Sequence, residues 1–151
     1  MTLAWTSDLD TGITVIDNQH RRLMSYINQM EELRGSNDRE AIGEVLNALV
    51  GYTISHFAFE ESLLEEAGYH YLNAHRRVHQ LFTKRVQEYQ KRFRAGDDVG
   101  DDVHTLLRSW LISHIKHDDA DYVSSVRIQI DNTLDEGKNQ GWLKRTLARF
   151  F

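Results

Sequence analysis

Histidines and carboxylates recur at a four-residue spacing along this sequence, and that spacing is typical of metal sites built on helices. His56 and Glu60, in the stretch HFAFEE, are four positions apart, as are His75 and His79. On an α-helix two such side chains lie one turn apart and about 40° around the axis, so both can reach one point beside the helix. The complete set of donors also includes single residues before and after these pairs: His20, His56, Glu60, His75, His79, and His114 with Asp118 or Asp119.

Four long helices are expected to position these donors, because apolar residues recur at spacings of three and four. A sequence without proline allows long uninterrupted helices, and no strand pattern competes with them. The expected helices cover roughly residues 17–33, 37–68, 69–94 and 101–130. Joined by short polar turns, they predict an all-α fold, an up-down-up-down antiparallel four-helix bundle with an irregular N-terminal arm and a short extra C-terminal helix.

The expected helix ends follow from capping residues. Asp17 or Asn18 is the predicted N-cap of the first helix, and Asn37 with Glu40 resembles a capping box before the second. The N-terminal arm is expected to be anchored by four apolar residues, Trp5, Ile13, Val15 and Ile16.

An antiparallel bundle would place all of the donors at one depth. His20 is near the start of the first helix, His56 is near the end of the second, and His75 begins the third. His114 is assigned to the matching level of the fourth helix, so the set is expected to converge near one end of the core. Isolated buried charges are costly, whereas shared dications would compensate the carboxylates and hold the imidazoles neutral.

The aspartate on the fourth helix is ambiguous on geometry alone. Plain α geometry favours Asp118, four residues after His114, whereas a π-bulge would bring Asp119 into the site instead. Five histidines and two carboxylates exceed the roughly four to six positions of one ion, so a dinuclear site bridged by Glu60 and one aspartate is expected. Imidazole and bridging carboxylate ligands together favour iron.

The complete motif series resembles the hemerythrin family, in particular its bacterial members. A single histidine, HxxxE, HxxxH and HxxxxD occur in order within TGITVIDNQHRRL, HFAFEESLL, HRRVHQLF and WLISHIKHDDADY. The similarity covers roughly residues 4–125 and carries the HxxxxD spacing onto His114 and Asp119, with Tyr122 completing DxxY. It therefore implies Asp119, rather than Asp118, as the ligand.

The resemblance also implies a cofactor of two non-heme iron ions, bridged by an oxo or hydroxo group and two carboxylates. One iron would be held by His75, His79 and His114, the other by His20 and His56, and both would be bridged by Glu60 and Asp119. The two-histidine iron would keep an open position for dioxygen. The apolar wall of that dioxygen pocket is expected at Leu111, with Trp110, Ile115 and Phe57 as further residues. His104 and His117 lie outside the motifs and are expected on the surface.

Composition narrows the remaining possibilities. The 151 residues are 40% hydrophobic with a net charge of −5, which suits a globular protein and disfavours nucleic acid as a partner. The absence of cysteine excludes disulfides and thiolate ligands. No run approaches the roughly 20 apolar residues of a membrane span, and the N-terminus lacks a secretory pattern, so a cytoplasmic location is expected.

The end of the chain is expected to form a distinct element. We expect the di-iron bundle to span residues 1–132 and a basic amphipathic helix to fall within 133–151. Its apolar residues are Trp142, Leu143, Leu147, Phe150 and Phe151, and its basic residues are Lys138, Lys144, Arg145 and Arg149. Packing on the bundle and contact with a protein or a membrane surface through residues 138–151 both fit this pattern. The chain is expected to be a monomer or a weak homo-oligomer.

Three functions fit such a site. The first is non-catalytic, reversible dioxygen binding for storage, delivery or sensing. The second is a di-iron oxidoreductase acting as a peroxidase or on nitric oxide, and the third is an iron-handling or sensor module that works through a partner. Oxygen-activating di-iron bundles use paired Glu-x-x-His motifs among four acidic ligands. This chain has no such motif, so dioxygen binding without catalysis is favoured.

Overall fold

The computed structural model describes residues 2–135 and 141–151 of the chain. A single 3-10 turn (Ser7–Leu9) precedes the first long helix, and the described residues contain no strand. The helical elements are α1 (Thr14–Glu32), α2 (Arg39–Glu66), α3 (Leu72–Arg94), α4 (Gly100–Ser113), a π-helical segment (His114–Asp119), α5 (Ala120–Leu134) and α6 (Trp142–Phe150).

The bundle consists of α1, α2, α3 and one long stretch in which α4, the π-helical segment and α5 follow without a break. α1 packs against α2 and α4, while α2 also packs against α3 and α5. The connections 33–38, 67–71 and 95–99 are only five or six residues long, and such short connections join antiparallel neighbours. The predicted up-down-up-down four-helix bundle is therefore confirmed.

The start of α1 differs from the prediction. The helix begins at Thr14, so Asp17 lies inside its first turn and is not the N-cap. The Asp17 carboxylate instead accepts hydrogen bonds from the Thr11 amide at 2.9 Å, the Thr11 hydroxyl at 2.7 Å and the Gly12 amide at 3.2 Å. The capping prediction was wrong because this acidic side chain turns back to hold the N-terminal arm.

The ends of α2 follow ordinary capping chemistry. Its N-cap is Asp38, one residue after the predicted Asn37, and the Asp38 carboxylate accepts from the Ala41 amide at 3.0 Å. At the other end Gly68 has a φ of 74°, and the next amide, that of Tyr69, donates to the Leu64 carbonyl at 2.9 Å. Glycine adopts this left-handed conformation without a steric penalty, so α2 ends there and the chain reverses into α3.

Two apolar clusters fill the bundle. The first occupies the end remote from the α2–α3 turn and reaches the middle of the molecule, with buried Leu23, Ile27, Leu49, Phe57, Phe82, Val103, Leu107, Leu111 and Ile115 among its members. The second includes Ile13, Ile16, Phe59, Leu63, Leu64, Tyr69, Tyr122, Val126 and Ile130. Aromatic and aliphatic side chains from both clusters surround the buried histidines and carboxylates.

α6 packs on its own bundle. Its apolar side chains Trp142, Leu143, Leu147 and Phe150 lie against the second cluster. The ring of the fully buried Phe59 is 6.0 Å from that of Trp142 and 6.2 Å from that of Phe151, between centroids. The outer face carries the exposed basic residues Lys144, Arg145 and Arg149, while Lys138 lies outside the described residues. Among the helices that the structure describes, none is both long and apolar enough to cross a lipid bilayer.

Candidate metal centre

The histidines and carboxylates singled out in the sequence meet in the interior of the bundle. Two groups of donor atoms, each with all members within 4.8 Å of one another, share Glu60. One group is Glu60, His75, His79 and His114, and the other is His20, His56 and Glu60. All of these residues are buried. α1, α2, α3 and the fourth helical stretch each contribute, as expected for donors at one depth of an antiparallel bundle.

The two carboxylate oxygens of Glu60 lie beside different donor groups. Its Oε1 lies 2.7 Å from Nε2 of His75 and 3.1 Å from Nε2 of His79. Its Oε2 lies 3.7 Å from Nε2 of His56 and accepts a hydrogen bond from the Tyr122 hydroxyl at 3.2 Å. This arrangement is what a carboxylate that bridges two cations requires.

Asp119 repeats the arrangement from the fourth helical stretch. Its Oδ2 lies 3.1 Å from Nε2 of His20, while its Oδ1 lies 3.1 Å from Nε2 of His114 and 3.4 Å from Nε2 of His75. The side chain is fully buried. Asp119 therefore also contacts both donor groups, and the two carboxylates lie between them.

The π-helical segment is what turns Asp119 inward. Residues 114–119 have π-helical hydrogen bonding, which brings the fifth residue after His114 beneath it, where an α-helix would place the fourth. Asp118 instead lies 40% exposed, and its Oδ2 accepts from Nδ1 of His114 at 2.8 Å. The two neighbouring aspartates thus meet opposite nitrogens of one imidazole ring.

The pKa values of the buried histidines shift in two directions, depending on the balance between burial and nearby carboxylates. Complete burial lowers the pKa of His56 to about 3, against the opposing attraction of Glu60. Burial acts in the same direction on His79 and His114. The carboxylate contacts of Glu60 and Glu61 nevertheless raise the pKa of His79, and those of Asp119 and Asp118 raise the pKa of His114 well above its ordinary value.

The carboxylates are held in their ionised form by these same contacts. Burial would raise the pKa of Glu60, but the adjacent imidazoles of His114, His75 and His79 hold it well below its usual range. Burial and the Glu60 charge raise the pKa of Tyr122 well above 10, so its hydroxyl keeps its proton and donates to Glu60. The site therefore combines anionic oxygens with imidazole nitrogens in a space closed to water.

Several donor atoms fit a bound cation better than a protein partner. Nε2 of His20, Nε2 of His56 and both carboxylate oxygens of Asp119 are buried without a hydrogen bond from any described residue. Nε2 of His79 and Nε2 of His114 face each other at 3.1 Å. Buried polar atoms rarely stay unpaired, and nitrogen lone pairs that converge with carboxylate oxygens are the ligands that transition metals prefer.

Gln19 supports the site and was missed in the sequence. Its Oε1 accepts from Nδ1 of His56 at 2.6 Å, which fixes the tautomer so that Nε2 points at Glu60. Gln19 is buried between Ile16 and Leu23 on the inner face of α1. In the sequence, Gln19 could have been noticed as a polar residue within the apolar stripe of α1. Its partner on α2, His56, could not be predicted from spacing within α1.

Aromatic rings cover the histidines on the side of the first apolar cluster. Phe57 stacks on His79 with centroids 3.8 Å apart, and Trp110 stacks on His114 at 4.3 Å. Leu111 and Ile115 are buried in the same cluster. Leu111 and Trp110 also line a small apolar cavity with Leu23, Ile27, Leu49, Thr53, Phe82 and Leu107. The structure thus brings together the four residues predicted to form the wall of a dioxygen pocket, and Phe57 and Trp110 pack on histidines of the larger donor group.

Three histidines lie outside the two donor groups, and they differ in burial. His70 is exposed. His117 is exposed, as expected. The expectation for His104 was wrong, because it is 5% exposed and its Nε2 lies 3.0 Å from a carboxylate oxygen of Glu31 on α1. This contact between α4 and α1, which periodicity within one helix does not reveal, accompanies the burial of His104, and that burial lowers its pKa.

A fully helical bundle with this buried donor set belongs to the class of cation-binding bundle proteins. Residues 11–125 match the family model described as the hemerythrin HHE cation binding domain. Bacteriohemerythrins of Pseudomonas aeruginosa and Stenotrophomonas maltophilia are each 49% identical over 99% of this chain and 97% of their own length. The crystal structure of a wild-type hemerythrin is 30% identical and superimposes with a TM-score of 0.78, covering 81% of this chain and 95% of that one. The chain belongs to the hemerythrin family, as its motifs predicted.

Proposed function

We propose that the protein binds dioxygen reversibly at a carboxylate-bridged non-heme di-iron centre. The observation that supports this most directly is the bridging position of Glu60 and Asp119, each of which directs one oxygen toward each histidine group. The names of the similar bacteriohemerythrins are consistent with the same use.

The two histidine groups support a division of the ligands between two irons. His75, His79 and His114 would hold one iron, and His20 and His56 would hold the other, so the second iron has fewer protein ligands. Each iron can change between ferrous and ferric states, which supplies the electrons for reversible dioxygen binding when the centre is loaded. The choice of iron follows from nitrogen-rich coordination combined with carboxylate bridges.

The protein's own contribution is to fix the ligands and exclude water. The Gln19 amide holds the proton of His56 on Nδ1, and the Tyr122 hydroxyl donates to Glu60 Oε2. Phe57, Trp110 and Leu111 cover the centre from the first apolar cluster. A dry apolar wall limits proton delivery, and limited proton delivery favours release of dioxygen unchanged over its reduction.

The test is to purify the protein without air, measure its metal content, and record its visible spectrum while air is admitted and then removed. Two irons per chain and an absorption band that forms in air and fades on deoxygenation are expected. Conversion to a stable diferric spectrum in a single exposure would contradict reversible binding and support the oxidoreductase or iron-handling function. A protein that takes up zinc but no iron would contradict the di-iron assignment.

A further inference from the structure

Two consecutive aspartates contact the two nitrogens of one histidine. Asp118 Oδ2 is 2.8 Å from Nδ1 of His114, and Asp119 Oδ1 is 3.1 Å from its Nε2. The ring nitrogens point in different directions, so carboxylates on adjacent residues reach both only because the π-helical segment changes the backbone between them. The ring is also fixed by the stacked Trp110, 4.3 Å away between centroids.

The outer nitrogens of other ligands have different partners. Nδ1 of His56 donates to the neutral amide oxygen of Gln19. Nδ1 of His79 lies 3.5 Å from Glu61, which is a longer contact than a normal hydrogen bond. Among these three histidines, His114 alone has an anionic acceptor within hydrogen-bond distance of Nδ1. The negative charge beyond the ligands is therefore concentrated on the three-histidine group.

We propose that Asp118 is a positioning residue that fixes the tautomer of His114 and strengthens it as a metal ligand. This inference rests on the proposed function only in taking His114 as a ligand. A carboxylate that accepts from the outer N–H of a metal-bound imidazole orients the ring and raises its basicity. Asp118 is 40% exposed, so solvent screens part of its charge, but the hydrogen bond still selects which nitrogen carries the proton.

The consequence is a division of roles within the DD pair of HIKHDD. Asp119 serves inside the centre as a bridging carboxylate, while Asp118 acts from outside through His114. The more electron-donating set of ligands would stabilise the oxidised form of the three-histidine iron. Loss of Asp118 should therefore make that iron harder to oxidise without removing any ligand.

The test compares Asp118→Asn with Asp121→Asn, which removes the same charge from an exposed position three residues further along. Asp118→Asn should lower affinity for Co²⁺, measured by competition with a chelator, by roughly 10–100-fold. It should also shift the ¹⁵N resonance of His114 Nδ1 in the Zn²⁺-loaded protein and move the midpoint potential of the di-iron form to a more positive value. Asp121→Asn should leave the Co²⁺ affinity, the ¹⁵N resonance and the midpoint potential unchanged. Asp118→Glu should bring all three part of the way back to their wild-type values.

Equal Co²⁺ affinity and an unchanged His114 resonance in Asp118→Asn and Asp121→Asn would overturn the inference. The cobalt and zinc measurements do not depend on dioxygen chemistry. A protein that loads zinc but not iron would therefore contradict the proposed function while the role of Asp118 was still measured. Failure of the wild-type protein to bind any of these cations would overturn both.

Discussion

At the scale of single residues, neither residue type nor burial alone identifies the ligands. His104 is as deeply buried as the histidines of the centre, yet its Nε2 contacts Glu31 on α1 and lies outside both donor groups. His56 has a pKa lowered to about 3, whereas the pKa of His114 is raised well above its ordinary value, although both are almost fully buried. What the candidate ligands share is the convergence of their ring nitrogens on two carboxylates.

This convergence predicts different effects for two histidines. His75→Ala should strongly reduce iron content after anaerobic reconstitution, because Nε2 of His75 is 2.7 Å from Glu60 and 3.4 Å from Asp119. His117→Ala, which removes an exposed histidine close to the centre, is the matched control and should load iron like the wild-type protein. Metal analysis per chain is the measurement. Equal iron content in the two variants would contradict the ligand assignment.

Two pairs of candidate ligands, His56 with Glu60 and His75 with His79, could be predicted from the sequence because their spacing lies within single helices. His56 with Glu60, for example, is set by helical geometry alone. The partner of Gln19 depends on how α1 faces α2, and the burial of His104 depends on how α4 faces α1. Contacts between helices are decided by packing, which spacing along one helix does not contain.

At the scale of helices, the π-helical segment also shows that spacing along the sequence does not fully predict the site. Its existence could be considered from the spacing of HxxxxD, but local geometry favoured the i+4 residue, and only the family resemblance favoured Asp119. The structure places both aspartates against His114 in different positions. The i+4 spacing of an α-helix fails at this one turn because the π-helical backbone directs Asp119 into the site. Such departures from regular helix geometry are frequent at functional sites.

α6 is an addition to the family core. The family model ends at residue 125, before α6 begins at Trp142. The match to the P. aeruginosa bacteriohemerythrin nevertheless covers 99% of this chain, so it extends into the α6 residues. Since the apolar face of α6 covers Phe59 and the second cluster, we expect its first role to be structural, and the division of the chain at residue 132 stays a prediction.

Deletion of residues 138–151 should separate stability from metal binding. Removing α6 uncovers Phe59 and several partly buried side chains, so the free energy of unfolding should fall by about 1–3 kcal/mol after the entropy of ordering the helix is considered. The metal spectrum should persist because no candidate ligand lies in α6. Urea unfolding and the visible spectrum of the truncated protein measure the two effects, with Lys144→Ala in the full-length chain as a control. Loss of iron on truncation would contradict this separation and show that the centre depends on the packing of α6.

At the scale of the whole molecule, the bundle encloses a polar interior that is unfavourable without a cation. His20, His56, Glu60 and Asp119 have little or no exposure to solvent, and several of their polar atoms have no hydrogen bond from a described residue. Burial of an unpaired polar group opposes folding by roughly 1–3 kcal/mol. The apolar clusters on either side must therefore stabilise the fold enough to hold these side chains in place without a cation.

Metal loading should in turn stabilise the entire bundle. A cation that binds only the folded chain adds about 2.7 kcal/mol at a free concentration of 100 times its dissociation constant. For a chain of this size that corresponds to a rise in Tm of roughly 5–10 °C. Calorimetry of the iron-loaded protein before and after chelation measures the difference. His75→Ala should show a smaller difference in Tm because a candidate ligand is missing, whereas His117→Ala should show the same difference as the wild type. An identical Tm with and without metal would mean that the four helices hold these donors in place without a cation, and that the unpaired atoms of Asp119 and His56 are compensated in some other way.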